Sequence, residues 1–317
     1  MTAVTEGRQA TGFALRDVRP WDALAAVVRE GQDLGYGRLF LPEIPGGRDA
    51  VAVLAAVTDL APRLGLATGV LPMTSRAPLL IAMAATTLQE RSGGRFVLGL
   101  GTGPAVPGAV ERLRELVGSL RRLLRGEDVE LDGRILRLSA PPDPAPPIWL
   151  SALGPRAVRL AGEVADGVLL NWCTPERVVA ARSELAAGAG RAGRDPAAVT
   201  VGAYIRACLV RDESAALAAM RVAAGEYAAM PAYRRQAAAL GLGAEAEAAA
   251  AAHRAGRPDA VPEGFVRTLG LLGDPRAARA RIDGYRDVGL DLPIVYPVAT
   301  DDVTGSVRAT LRALAPD

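Results

Sequence analysis

Arg95–Pro104 reads RFVLGLGTGP. Phe96 to Leu100 is a short apolar run that stops among Gly99, Gly101 and Gly103. An amphipathic helix follows, with apolar residues at Val110, Leu113, Val117, Leu120 and Leu124. A buried strand ending in a glycine-rich turn before a helix aims backbone N–H groups at a space where an anion can dock. The G-x-G-x-G turn departs from the dinucleotide fingerprint, because its next required position is Pro104. A tight strand-to-helix turn without a ligand is an equal reading.

Outward from this stretch, strand-like runs alternate with helical spacing. Strands are predicted at Gly12–Leu15, Arg38–Leu41, Leu64–Val70, Phe96–Leu100, Ile148–Ser151, Gly167–Asn171, Val199–Val210 and Ile294–Val298. Helical patterns lie between them, among them Trp21–Leu34, Asp49–Leu60 with Asp49 as N-cap, Pro78–Gln89 and Pro155–Ala165. Val129–Leu138 alternates around Asp132-Gly133, a hairpin signal inserted after the fourth helix. An Ala-rich segment from Ser214 to about Arg257 is expected to form two or three helices, in an insertion over approximately 214–266 between strands seven and eight. Eight strands alternating with helices predict an α/β fold of the (β/α)8 TIM-barrel kind, one domain over 1–317. An open doubly wound sheet is the competing topology.

Composition narrows the chemistry. The 317 residues contain one histidine, His253, and two cysteines, Cys173 and Cys208; lysine is absent, so every basic residue beyond His253 is arginine. Schiff-base chemistry and Walker-type phosphate loops are excluded, and a His-rich metal site or His-based triad is disfavoured, so no metal is expected. A net charge of +2 with scattered arginines argues against a nucleic-acid partner. No apolar run is long enough to cross a bilayer and MTAVTEGRQATG has no signal-peptide core, which suggests a cytoplasmic protein without a membrane partner. If the chain is an enzyme, a bound cofactor is expected to carry the chemistry.

A second turn, Ser151-Ala152-Leu153-Gly154-Pro155, ends strand five where a helix begins, and offers another anion-binding backbone. With LGLATGV (64–70), TTLQERSGGRFVLGLG (86–101) and SALGPRAVRLAGEVADGVLLN (151–171), the sequence resembles the bacterial luciferase-like flavin and deazaflavin oxidoreductases. The resemblance favours the coenzyme F420 branch, which includes methylene-tetrahydromethanopterin reductase and F420-dependent glucose-6-phosphate dehydrogenase. It implies the barrel fold, a homodimer, and hydride transfer between the deazaflavin and a small organic substrate. A reduced-FMN monooxygenase is the alternative, and a catalytically inactive barrel a further one.

Residue by residue, the resemblance implies a non-prolyl cis bulge at Gly69-Val70 behind the cofactor ring. It implies ring and side-chain contacts at Gly101, Thr102 and Gly103, and a phosphate loop at Ser151, Ala152, Leu153, Gly154 and Pro155. Arg76 meets the anionic tail or pairs on the surface. Two departures stand out. Pro104 occupies the place of an acidic residue used in proton transfer by the sugar-phosphate dehydrogenase, and Leu41-Pro42-Glu43 replaces its histidine at the end of strand two. Glu43 is therefore a candidate general acid or base, or else a carboxylate that caps a helix or pairs with Arg48. Asn171, also in the catalytic set, and Trp172 are candidates for polar and stacking contacts. Phe13 and Tyr296 line the pocket or belong to the core. Cys173 reads as a small apolar filler and His253 as a surface residue.

Overall fold

Parallel strands covered on both faces read as continuous apolar runs, and every residue of Phe96–Gly101 is buried. The computed structural model describes residues 11–16, 18–103 and 107–316. The barrel strands are β1 (Gly12–Ala14), β2 (Arg38–Leu41), β3 (Gly65–Thr68), β4 (Phe96–Gly101), β5 (Ile148–Ser151), β6 (Gly167–Asn171), β7 (Thr200–Cys208) and β8 (Leu292–Pro297). They pair in sequence order, with β8 beside both β1 and β7. A further β6–β7 pairing completes a closed eight-strand parallel barrel.

Two differences from the sequence reading have local causes. Leu64–Val70 is not one strand: β3 stops at Thr68, and Leu71–Pro72 resumes as a separate strand paired with β4. The break falls at the Gly69-Val70 peptide, which is cis. The Ala-rich segment forms three helices, as expected, Glu213–Ala228, Pro231–Ala239 and Gly243–Arg254, and Glu263–Leu269 follows it. Gly270–Leu272 then adds a short parallel strand beside β7. At three residues it gives no periodicity to read. The 129–138 hairpin forms as expected, and Asp132 and Gly133 both take left-handed φ, 51° and 70°, the backbone of a tight two-residue turn.

The chain divides into two compact units, one of Met1–Tyr36, Leu170–Ser183 and Val201–Asp317, the other of Gly37–Leu169 and Glu184–Thr200. In the second, Phe40 and Trp149 fill the core with ring centroids 5.9 Å apart. The indole lies on Gly167, where an added Cβ would come within 2.4 Å of it. Asp166 ties the strand starts: its carboxylate accepts from the Ile148 N–H at 2.8 Å and from Arg121 at 2.8 Å, and its carbonyl accepts from the Thr200 N–H at 3.0 Å.

β3 and β4 are joined by a side chain where the break in β3 begins. The wholly buried Thr68 hydroxyl donates to the Gly99 carbonyl at 2.9 Å and accepts from the Gly99 N–H at 2.8 Å. Thr68→Val keeps the shape and orphans both backbone groups. Equilibrium urea unfolding should show a loss of about 1–3 kcal/mol; an unchanged midpoint would mean that the hydroxyl is dispensable.

Candidate active site

In the Gly37–Leu169 unit the ends of β2, β3 and β4 are held together by backbone bonds. Gly69 N–H donates to Leu41 O at 2.7 Å, Glu43 N–H to Val70 O at 3.2 Å and Met73 N–H to Gly101 O at 2.7 Å. At Gly99 and Gly101 this wall carries no side chain of its own, and neighbouring atoms fill the space that one would take. A Cβ on Gly99 would lie 2.0 Å from the Thr68 carbonyl, and one on Gly101 would lie 2.7 Å from both Ser151 Oγ and Val70 Cγ2. The structure thus brings together Gly69, Val70, Gly101 and Ser151. Gly103 follows with φ +69°, and Thr102 Oγ1 donates to its carbonyl at 3.3 Å. Pro104, the position of the missing acidic residue, lies outside the described residues.

Beside this wall, Ala152 N–H donates to Leu169 O at 3.1 Å, and Leu153 leads into Gly154, the N-cap of helix Pro155–Val164. Among the described residues no side chain caps this helix, and a Cβ on Gly154 would meet nothing within 4 Å. An uncapped N-terminus with open space before it suits an anion through its N–H groups and helix dipole. The glycine wall and this helix end fit a flat ring system carrying a phosphate.

Glu43 and Arg76 form a separate cluster. The Glu43 carboxylate accepts from the Ala50 N–H at 3.0 Å and from Arg76 Nη2 at 3.1 Å; Arg76 Nη2 also reaches Asp49 at 2.6 Å. Asp49 caps helix Ala50–Leu60 through the Ala52 N–H, as its sequence position suggested. Burial opposes ionisation of Asp49, but the Ala52 N–H and Arg76 together bring its pKa below the usual value. Two carboxylates around one guanidinium leave the trio net negative, a poor seat for an anionic tail. Glu43 is held here as an acceptor. Glu43→Gln removes a half-buried ion pair and should lower unfolding stability by about 0.5–1.5 kcal/mol in urea titrations; no change would mean that Asp49 alone holds Arg76.

The other unit contains an aromatic cluster around Arg206. The guanidinium lies 3.6 Å from the Tyr296 ring centroid, 5.0 Å from Tyr227 and 5.4 Å from Trp172. Asn171 bridges, accepting from Arg206 Nη2 at 3.2 Å and donating to Tyr233 Oη at 2.8 Å. Trp172 has left-handed φ, 48°, which is uncommon for a bulky residue. Gln236 donates to the carbonyls of Asn171 at 2.9 Å and Trp172 at 2.7 Å, pinning that turn. Asn171, Trp172 and Tyr296 therefore meet.

Phe13 does not join them: its ring lies against Gly31, where a Cβ would be 2.6 Å from Cζ, and 5.2 Å from the Tyr36 ring. It is core, since β1 turns it toward helix Trp21–Asp33. Cys173 is buried, its thiol pushed up to about 12 by burial, as a filler would be, and His253 is exposed. Arg206, Tyr227, Tyr233 and Gln236 were missed. A charged residue inside the apolar run Val199–Val210 was the available signal for the first.

Among curated proteins, the chain is similar to 5,10-methylenetetrahydromethanopterin reductase of Methanolobus tindarius, 32% identical over 208 residues. The match covers 62% of this chain and 63% of that protein. The reductase of the same name from Archaeoglobus fulgidus is 29% identical over 208 residues, with the same coverage of 62% and 63%. The chain thus spans less than two thirds of the length of these relatives. Among solved structures, the coenzyme F420 dependent tetrahydromethanopterin reductase from Methanopyrus kandleri superposes with a TM-score of 0.80 at 21% identity, over 97% of this chain and 98% of that one. The luciferase-like monooxygenase family model matches residues 2–292, and the chain belongs to that family.

Proposed function

We propose that the protein is an oxidoreductase that binds coenzyme F420 and passes a hydride between the deazaflavin and a small organic substrate. The observation that carries this reading is the pairing of a side-chain-free wall at Gly99 and Gly101 with the uncapped helix end at Gly154. The names of the relatives, methylenetetrahydromethanopterin reductases and an F420-dependent reductase, support the choice of cofactor.

When bound, the deazaflavin supplies two-electron hydride chemistry. The N–H groups of the helix start at Gly154 and Arg156 would hold the phosphate, and Gly101 and Gly103 would let the chain approach the ring closely. Val70 closes the wall from behind Gly101. The protein's task is to bind, orient and exclude water from one ring face, which needs few acids or bases. Reduced FMN is the second candidate, since the family also takes its name from monooxygenases and FMN carries a phosphate of the same kind.

Fluorescence titration should show F420 binding at least tenfold more tightly than FMN, about 1.4 kcal/mol; FMN tighter by that margin would overturn the deazaflavin reading. Gly154→Asp separates the helix end's two roles. An aspartate N-cap should raise unfolding stability by a few tenths of a kcal/mol while lowering F420 affinity by about tenfold or more, because it occupies the N–H groups and repels phosphate. Unchanged affinity would remove the phosphate from this helix.

A further inference from the structure

Arg206 is a buried cation with no acidic partner among the described residues. It is 3% exposed, and its Nη2 donates to Asn171 and to Tyr227 Oη at 3.0 Å. Nε is buried with no hydrogen-bond partner, and so is the Nε1 of neighbouring Trp172. Both orphans are donors. Buried donors are normally satisfied, and a buried guanidinium is normally paired, so both call for an acceptor that carries negative charge. The tyrosines do not provide it. Burial pushes the Tyr204, Tyr233 and Tyr296 phenols above their ordinary range, so they stay neutral, while the faces of Tyr204, Tyr227 and Tyr296 lie within 5.9 Å of the guanidinium and stabilise it.

We propose that the Arg206 cage binds a singly charged organic anion, a carboxylate carried on an apolar or aromatic body. One unpaired positive charge matches one negative charge, and two orphan donors match two carboxylate oxygens; a phosphate monoester brings about two charges and three oxygens. Aromatic rings are the surface that such a body would meet. Tyr204 and Tyr296 meet edge-on at 5.0 Å, Tyr227 and Tyr233 at 4.8 Å, and Trp172 lies 5.4 Å from Tyr227. At the exposed edge, Arg16 pairs with Glu226 at 3.4 Å, with side chains 52% and 36% exposed. Glu226 adjoins Tyr227 on helix Glu213–Ala228, so this pair marks the side from which an anion enters, Arg16 attracting it and Glu226 competing. The site lies within one compact unit and is independent of the cofactor assignment.

The test is calorimetric titration of the full chain with benzoate and with benzamide, its neutral isostere, with tryptophan fluorescence as a second readout. Benzoate should bind saturably and at least about twentyfold more tightly than benzamide. Arg206→Met, of similar volume, should bring benzoate down to the benzamide level with native circular dichroism. Equal binding of the two probes, absence of saturable benzoate binding, or undiminished binding by folded Arg206→Met would each overturn the proposal. If Arg206→Met fails to fold, the comparison of the two probes on the unaltered chain still decides it.

Discussion

One hydroxyl makes the glycine wall possible. By holding both the N–H and the C=O of Gly99, Thr68 completes the β3–β4 pairing from a side chain, so the backbone of β3 is free to turn at Gly69-Val70. That turn brings Val70 to Gly101, and the ladder resumes at Leu71 and Pro72. A residue other than glycine at position 99 would drive its Cβ into the Thr68 carbonyl.

The other unit solves a different problem, the burial of a charge. Arg206 lies in register with Tyr296 on β7 and β8, so the pairing itself stacks the guanidinium on a ring. Helices Glu213–Ala228 and Pro231–Ala239 bring Tyr227, Tyr233 and Gln236 to the same place. Their packing core is largely alanine, including Ala216, Ala224, Ala246, Ala249 and Ala250. Small side chains let helices approach closely, and the few large ones are concentrated around the cation. Several kcal/mol is the usual cost of burying an ion, and ring faces with two hydrogen bonds offset only part of it.

Much of the fold was legible because parallel strands and their helices have distinct periods, and all eight barrel strands lie within the stretches read from the apolar pattern, apart from a residue or two at some ends. What was not legible was either too short or too distant. Gly270–Leu272 is shorter than any period, and the break in Leu64–Val70 leaves its apolar run intact. Resemblance supplied the cis Gly69-Val70 peptide, whereas the turns at Gly101–Gly103 and Ala152–Pro155 were legible as anion-competent backbone from the residues themselves. Asn171, Trp172 and Tyr296 were singled out as separate strand-end residues. What unites them, Arg206 and the tyrosines of the Ala-rich segment, depends on contacts between residues distant in sequence, such as Asn171 and Tyr233, 62 residues apart. Phe13 shows the limit of reading an aromatic on a short strand, since a change of face of one residue decides between pocket and core.

The central claim is that the glycine wall and the helix end at Gly154 form one cofactor cradle. Amide hydrogen exchange, followed residue by residue with and without saturating F420, tests it directly. Protection should rise by about tenfold or more at Gly101–Thr102 and across Ala152–Ala157, with the hairpin at 129–136 unchanged. Binding that leaves the exchange of both segments unaltered would contradict the account.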